Sequence, residues 1–409
     1  DPVTVSSGGG TIVSSIDVAN AAIDATVSGS FVVGTYDAGF TNKLGVNNTR
    51  PTVSPLTGAR TNDTSYVAGD ADVSAILAGY DNVNNGLACI VASQHSMVYS
   101  GTDHASIIGG SLNTLQTNTS YSGIFNSTSC TIQDRAKYAS IISSDQCQLL
   151  TGASDAASGF RGFMASSLSS TIGGRNSAVI CGVSVTNAGQ YCTVLNGSVV
   201  TVGASTSNCL ALGSTLTIGN SVAANHSVIV GTGHTVNGGR NLVVGDNHTI
   251  GGFSYCVATG TGGVPPFEGA RVHGVRHRGG TAGRNLALQF TCSQETTDTA
   301  VTRLSVLGAS TFPTQPANSI VTGAFFVVGV KDDGTSSAFR LDFSSVMGAS
   351  GAPTIKGLTA TVLHDDLALP TDPTVVATST GVYRVQVVGL AATNIRWMAS
   401  FEGLQMIWA

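Results

Sequence analysis

Residues Ser227–Gly252 read SVIVGTGHTVNGG followed by RNLVVGDNHTIGG, two copies of one short pattern. Each half carries a short apolar run, then Gly and a few polar residues, then an apolar residue and Gly again. His234 and His248 lie fourteen residues apart in equivalent places, as do Val230 and Val244. A short period of this kind is the sequence signature of a repeat architecture.

The same unit recurs towards the N-terminus with looser spacing. Its apolar pairs begin near Leu77, Ile90, Ile107, Ile124, Ile141, Val179 and Val194. The gap between the fifth and sixth of these has room for one degenerate unit around Phe160. We therefore expect about eleven units of about 13 to 19 residues between Leu77 and Gly252.

A unit this short cannot bury its own apolar face, so the units must stack. Stacked units predict a parallel β-solenoid, in which each coil advances by about one strand spacing of 4.7 to 4.9 Å. One thin coil supplies little core, and we expect threefold self-association, a homotrimer, to bury the remaining apolar face.

The composition favours β-structure and argues against several classes of protein. Charged residues make up 10% of the 409-residue chain, against about 25% in an average soluble protein, and Gly, Ser, Thr, Val and Asn dominate. With 42% apolar residues and a net charge of −5, the chain does not read as disordered. The mild acidity argues against a nucleic-acid partner, and no apolar run is long enough for a membrane span.

The eight cysteines contain no C-x-x-C pair, which argues against zinc and redox chemistry. Cys130 and Cys147 each stand six residues after the apolar residue that opens their unit. Like residues in like places predict a column of buried, reduced thiols, although disulfides between coils remain an alternative.

The repeat region resembles two related groups of proteins. Phrases such as AGYDNVNNG and SIIGGSLNTL are similar to the YadA-like β-roll heads of trimeric autotransporter adhesins, and more so to repeats in bacteriophage tail fibres. The units differ from those families in their variable length and in the loss of Gly at Asn126, Ser143 and Cys181.

The C-terminal region resembles a domain found at the end of phage tail and virion proteins. The resemblance rests on LALQFTCSQETTDTAVTRLSV (Leu286–Val306) and NIRWMASFEGLQMI (Asn394–Ile407). From the residues alone, two alternating runs joined by Asp332-Asp333-Gly334 predict a hairpin. The runs on either side of Ala391 predict a second strand pair, and together these strands indicate an antiparallel β-sandwich.

These observations give an all-β chain with four parts. We expect an N-terminal attachment region (1–72), a repeat β-solenoid shaft (73–260), a basic neck (261–284) and a C-terminal β-sandwich (285–409). The resemblance implies a virion tail fibre or spike, joined to other tail or capsid proteins through the N-terminal region, that attaches the virus to a glycan or protein of the host surface. A purely structural fibre or decoration protein is the alternative, and a polysaccharide depolymerase is a further one. The scattered aspartates do not suggest a catalytic pair, so we expect no enzyme, no catalytic residue and no cofactor.

Two sites follow from this scheme. The neck gathers basic residues in a chain that is poor in charge, and they are candidate trimer or anion contacts: Arg271, His273, Arg276, His277 and Arg278. Glu268 or Asp298 could pair with them across subunits, an anionic glycan could bind them, or the histidines could ligate a metal. In the terminal domain Trp408 is the candidate receptor contact, whereas Trp397 alternates with core-like Ile395 and is expected to be buried.

His234 and His248 are expected to cap turns or face solvent rather than to form a metal stack. Among the aspartates of the shaft, Asp134 and Asp145 are the two that could approach each other across coils.

Overall fold

The structure is a computed structural model, and it describes residues 5–7, 10–12, 66–67, 75–86, 89–150, 161–219, 223–275, 285–306, 312–378 and 381–408. The chain divides into two compact units, Asp1–Ala204 and Ser205–Ala409. Every regular element in the described ranges is a strand, so the prediction of an all-β chain is confirmed. None of the described residues belongs to a helix that is long and apolar enough to cross a membrane.

The first unit contains a short N-terminal strand pair and a parallel solenoid. Its strands are β1 (Val5–Ser7), β2 (Gly10–Ile12), β3 (Tyr66–Val67), β4 (Ala75–Tyr80), β5 (Val83–Asn84), β6 (Ile90–Gln94), β7 (Met97–Val98), β8 (Ser106–Ser111), β9 (Thr114–Leu115), β10 (Gly123–Thr128), β11 (Thr131–Ile132), β12 (Ser140–Ile142), β13 (Gln148–Leu149), β14 (Gly162–Ala165), β15 (Thr171–Ile172), β16 (Ser177–Ile180), β17 (Thr186–Asn187) and β18 (Thr193–Val202). The even-numbered strands from β4 to β18 pair in parallel on one face of the solenoid. The odd-numbered strands from β3 to β17, together with the end of β18, pair in parallel on another.

The register follows the apolar repeat. One internal column consists of Ile76, Val91, Ile107, Ile124, Ile141, Met164, Val179 and Val194, all buried. Burying each such side chain contributes about 1.5 to 3 kcal/mol. The degenerate unit expected around Phe160 is a coil in its own right, with Met164 in the column; Phe160 itself lies outside the described residues.

Polar side chains inside the coils form ladders of their own. The backbone N–H of Ser144 donates to Ser127 Oγ over 3.1 Å, and that of Ser167 donates to Ser144 Oγ over 3.2 Å. Gly182 N continues the row by donating to Ser167 Oγ over 3.3 Å. A buried N–H without a partner costs about 1 to 3 kcal/mol, so these serines stabilise the bends between the two strand faces.

The second unit contains further parallel coils and then antiparallel sheets. Its strands are β19 (Leu210–Ile218), β20 (Val228–Thr232), β21 (Thr235–Asn237), β22 (Leu242–Asp246), β23 (Thr249–Gly251), β24 (Val257–Thr261), β25 (Arg271–Gly274), β26 (Asn285–Thr296), β27 (Val301–Arg303), β28 (Ser305–Val306), β29 (Ser319–Lys331), β30 (Ser336–Met347), β31 (Thr354–Asp365), β32 (Thr374–Ala377), β33 (Tyr383–Val388) and β34 (Ile395–Ile407).

Strands β19, β20, β22, β24 and β25 pair in parallel, and the quoted repeat is in register as predicted, with Val230 opposite Val244. Gly231 stands opposite Gly245 with a φ of 128°, and a Cβ at Gly231 would lie 1.8 Å from the Gly245 carbonyl oxygen. The glycine of the repeat is therefore required by the close approach of neighbouring coils as well as by its backbone angle.

The antiparallel part contains the strand row β26–β34–β29–β30–β31, called here the five-stranded sheet, and a separate three-stranded sheet in the order β27–β33–β32. Strand β26 also pairs antiparallel with β25 and with β28. The Asp332-Asp333-Gly334 hairpin joins β29 to β30 as predicted. Phe325 and Phe401 of the large sheet lie 4.8 Å apart between ring centroids, and Tyr383 of the small sheet lies 6.5 Å from Phe325.

The prediction that the runs on either side of Ala391 pair with each other is wrong. Strand β33 pairs with β27 and β32, whereas β34 lies between β26 and β29. The neighbours of β34 have 12 and 13 residues against its own 13, so pairing with them satisfies its backbone along nearly its whole length on both sides.

The eight cysteines are free thiols, and all but Cys181 are buried, so the prediction of buried, reduced thiols holds for the others. Cys130 Sγ accepts the backbone N–H of Cys147 over 3.4 Å, which places the two in one column as expected. Burial raises the pKa of Cys89 and of Cys256 to about 11, so both are protonated at neutral pH.

Candidate functional site

A column of exposed rings runs along one corner of the first unit. Three rings and one guanidinium form it, and they occupy equivalent places before β8, β10, β12 and β14: His104, Tyr121, Tyr138 and Arg161. We call these four residues the corner column. The rings of His104 and Tyr121 lie 5.1 Å apart at 8°, and those of Tyr121 and Tyr138 lie 5.2 Å apart at 7°. The guanidinium of Arg161 lies 5.6 Å from the Tyr138 ring centroid.

The backbone at this corner is left-handed. His104, Tyr121 and Tyr138 have φ values of 52°, 56° and 57°. Gly and Asn adopt this conformation at low cost, whereas bulky residues adopt it rarely. Stacked rings at such a place offset part of that cost, because each ring packs on the ring of the next coil.

Equivalent corners of the second unit also carry basic and aromatic residues. His226, Arg240 and Tyr255 have φ values of 56°, 59° and 60° and stand before β20, β22 and β24. Arg240 lies 4.9 Å above the Tyr255 ring and donates a hydrogen bond to its hydroxyl.

A second candidate site is an open groove of about 570 Å³ on the five-stranded sheet. Glu402, Ala324 and Asp342 stand side by side across β34, β29 and β30. Two strand spacings place the Cα atoms of the two acidic residues about 9.5 Å apart on one face. The small side chain of Ala324 between them leaves the floor of the groove open.

The neighbouring row of the same groove supplies a cation and a ring. Arg340 Nη2 lies 2.8 Å from Asp342 Oδ1, and the guanidinium lies 5.7 Å from the Phe326 ring centroid. Phe326 is 42% exposed, which is high for a phenylalanine. The groove therefore combines carboxylates, a guanidinium and an aromatic face, the groups that hydrogen-bond and stack on a sugar.

The predicted neck residues fall partly on a regular strand. Arg271 and His273 are exposed on β25, where they alternate with buried Val272, and His273 Nδ1 lies 3.0 Å from Thr259 Oγ1. In the described residues no ion pair joins Arg271 to Glu268 or Asp298. Arg276, His277 and Arg278 lie outside the described residues. The role of the neck as a trimer or anion contact stays a prediction.

Trp408, the predicted receptor contact, is 43% exposed, and its backbone N–H donates to the Asn318 carbonyl over 2.9 Å. Trp397 is buried as expected, and its Nε1 donates to Thr296 Oγ1 over 3.0 Å. The structure places Trp408 at the end of β34, and its contact with a receptor stays a prediction.

His234 and His248 do not face solvent. Both are buried, and their rings stack 5.0 Å apart at 16°. His234 Nδ1 accepts the backbone N–H of His248, and His248 Nδ1 accepts that of Gly263. Each Nε2 lies 3.1 Å from a carbonyl oxygen of its own coil. Because each Nδ1 accepts, each ring is neutral with its proton on Nε2. Of the two expected roles, facing solvent is therefore wrong, whereas each ring does cap a backbone N–H, that of the next coil.

Asp134 and Asp145, the two aspartates of the shaft that could approach each other across coils, do not form a pair. Asp134 accepts a hydrogen bond from Thr117 Oγ1 over 2.9 Å. The backbone of Asp145 forms a parallel β-bridge with that of Thr128 in the neighbouring coil. The two carboxylates thus belong to different corners of the coil, because their places in the repeat differ.

Comparisons with protein families, curated proteins and solved structures gave the following results. No protein-family model and no curated protein matches the chain. Among solved structures, the chain is similar to the tailspike protein gp49 from Acinetobacter baumannii bacteriophage Fri1, a capsular polysaccharide depolymerase, with 9% identity and a TM-score of 0.23. The match covers 86% of this chain and 73% of the other. At this level of similarity neither the fold nor the activity of the neighbour is transferred.

This comparison contradicts the prediction that the chain is not an enzyme, since the matched tailspike is described as a capsular polysaccharide depolymerase; the similarity does not assign that activity to this chain. The prediction had rested on the scattered aspartates of the shaft. Those residues say nothing about the five-stranded sheet, where Asp342 and Glu402 line one groove.

Two groups of residues were missed from the sequence. Tyr121 and Tyr138 are seventeen residues apart, like Ile124 and Ile141, so the same repeat could have aligned them. No spacing signal could have joined Asp342 to Glu402, since their proximity depends on the insertion of β29 between β30 and β34.

Proposed function

We propose that the chain is a subunit of a virion tail fibre or spike that attaches the virus to the host cell surface as a homotrimer. The observation that carries the proposal is the parallel solenoid itself, with its interior held by side-chain ladders and its corners lined by exposed rings. Such a stack is a stiff support that repeats the same surface groups coil after coil. The N-terminal region (1–72) would then join the subunit to other tail or capsid proteins, and no nucleic-acid partner is proposed.

The five-stranded sheet supports self-association. Edge strand β31 is exposed along most of its length, with Leu358 and Leu363 at 37% and 56% exposure. On the open face, Leu404 and Met406 are 60% and 57% exposed. A long apolar edge is an aggregation hazard unless another chain covers it, and sister copies would do so. Three rigidly held sites would also bind a surface more tightly than one.

Attachment is tested with labelled protein on host cells. The full chain is expected to bind, and binding is expected to weaken when residues 285–409 are deleted while residues 1–284 keep a β-type circular dichroism spectrum. A full chain that does not bind any host cell would support the alternative, a purely structural fibre. Light scattering of the same protein tests the homotrimer, because a mass of one chain, 41.3 kDa, would refute it.

A second candidate function is polysaccharide cleavage, and a specific observation favours it. Asp342 and Glu402 line the same groove on one face of the sheet, two strands apart, so their two carboxyl groups face one open space, and a pair of carboxyl groups is what glycoside hydrolysis uses. Arg340 holds Asp342 in place over 2.8 Å.

Release of reducing ends from host polysaccharide measures this activity. Glu402→Gln and Asp342→Asn are each expected to reduce the rate at least 100-fold, because either change removes an acid or a base. Glu295→Gln is the matched control, since Glu295 is exposed on strand β26 of the same sheet. Equal rates in all three variants would show that the groove is not the catalytic site. If the unaltered protein releases no reducing ends, the proposed cleavage activity is refuted.

A further inference from the structure

We propose that the corner column binds a linear acidic polysaccharide, with the polymer lying along the solenoid and about one sugar facing each coil. The inference rests on the proposed attachment function and assigns it a site and a ligand class. It is distinct from the basic neck, Trp408 and the groove on the five-stranded sheet.

The stacking of the rings determines which part of each tyrosine can meet a ligand. Tyr121 and Tyr138 are each 52% exposed, although their ring faces cover each other at 5.2 Å. The exposed part is therefore the ring edge with its phenolic hydroxyl. A row of hydroxyls is a poor surface for apolar packing but a good one for hydrogen bonds to a polyhydroxylated chain.

The spacing of the row matches a polymer rather than a single small ligand. Successive rings are 5.1 Å and 5.2 Å apart, because each belongs to the next coil of the stack. This rise is close to the length of one pyranose unit in an extended polysaccharide. Equivalent groups of successive sugars could then meet equivalent side chains of successive coils without bending either partner.

Charge determines the class of polysaccharide. Arg161 ends the column, is exposed, and contacts the Tyr138 ring at 5.6 Å; no carboxylate of the described residues pairs with it. At the other end, His104 Nδ1 lies 2.6 Å from Asp103 Oδ1, so that end is occupied by a partner of its own. This exposed cation next to the hydroxyl row, which pairs with no carboxylate in the described part of the chain, favours a sugar acid with its carboxylate at Arg161.

The backbone of this corner does not require tyrosine. Asn176, which adopts a left-handed conformation at lower cost, occupies the equivalent corner two coils after Tyr138. Tyr191 shares this conformation, so the backbone angle by itself does not mark a site. Phenylalanine could stack in the same way as tyrosine. Stacking therefore does not account for the two hydroxyls, and binding a ligand by hydrogen bonds would.

The test uses the full chain and fluorescent polygalacturonate, a linear polymer with one carboxylate per sugar, with dextran as the neutral polymer. The unaltered protein is expected to bind polygalacturonate and not dextran. The double variant Tyr121→Phe/Tyr138→Phe keeps both rings but loses both hydroxyls, and it is expected to bind about tenfold more weakly. Arg161→Gln is expected to weaken binding and to flatten its dependence on salt.

Tyr191→Phe is the matched control. Tyr191 stands at the equivalent corner of a later coil and is 55% exposed, but Asn176 separates it from the ring stack. Its loss is expected to leave binding unchanged. Thermal unfolding of each variant shows whether the coils are intact.

The outcomes separate this inference from the attachment function. If the double variant binds polygalacturonate as well as the unaltered protein does, or if the unaltered protein prefers dextran, the corner column is not the site and the inference fails. If the unaltered protein adheres to host cells but binds no polygalacturonate, the ligand class is wrong while attachment stands. If it adheres to no host cell, the attachment function fails first, whatever the polymer result.

Discussion

Acidification should destabilise the second unit through its buried histidine pair. Burial lowers the pKa of both His234 and His248 from the ordinary value of 6.5; for His234 the facing His248 lowers it further, while carbonyl hydrogen bonds and Asp246 oppose the shift. A proton on Nδ1 would face the backbone N–H that this atom accepts, so protonation breaks the hydrogen bonds between coils.

The direction and magnitude of the change in the free energy of unfolding with pH follow from proton linkage. Below pH 6.5 the unfolded chain takes up more protons than the folded one, so the stabilisation is fully present above pH 6.5 and is lost as the pH falls. Each histidine contributes a slope of at most about 1.4 kcal/mol per pH unit between its folded and unfolded pKa, or at most about 2.7 kcal/mol per unit for the pair.

Urea unfolding between pH 7.5 and 5.0 measures this slope. The variant His234→Asn/His248→Asn keeps a side-chain acceptor in both places but does not titrate. It should be less stable at pH 7.5, and its free energy of unfolding should depend less on pH by about the amount calculated above. Equal slopes in the two proteins would show that the histidines are not buried as neutral rings.

Three other substitutions test the packing. Gly231→Ala should destabilise the protein by at least about 2 kcal/mol in urea unfolding, because its Cβ would lie 1.8 Å from the Gly245 carbonyl oxygen at a φ of 128°. Gly251→Ala, with no atom within 4 Å of the new Cβ, is the control, and equal losses would contradict the coil contact. Tyr383→Phe should be neutral or stabilising in thermal unfolding, since the buried Tyr383 hydroxyl has no hydrogen-bond partner among the described residues; a loss above about 1 kcal/mol would reveal one. Ser144→Ala should lower the free energy of unfolding by about 1 to 3 kcal/mol, because the Ser144 hydroxyl accepts a backbone N–H of the next coil. An unchanged urea midpoint would contradict a stabilising role for the serine ladder.

The repeat region was largely predictable because each coil repeats one register. The apolar residues at Ile107, Ile124 and Ile141 share a column, and the fourteen-residue offset of His234 and His248 corresponds to two stacked rings. The repeat could not show on which face of the coil a side chain lies. Periodicity aligns the histidines but does not say whether they point inwards or outwards, since a one-residue shift along a strand reverses the face.

The antiparallel region was less predictable because its pairings are not local. The Asp332-Asp333-Gly334 hairpin was found, since a tight turn joins adjacent strands. Strand β34, however, pairs with β26, about 110 residues earlier in the chain, and nothing in either strand identifies the other. The groove with Asp342 and Glu402 depends on that pairing, so it was missed with it.

Electron cryomicroscopy of the purified protein tests the stacked coils most directly. The density should show parallel strands that advance by about 4.8 Å per coil, with Tyr121 and Tyr138 superposed on the outside and Ile124 and Ile141 superposed within. A map in which either pair lies on different faces, or in which residues 106–142 form antiparallel strands or helices, would contradict the fold and the sites built on it.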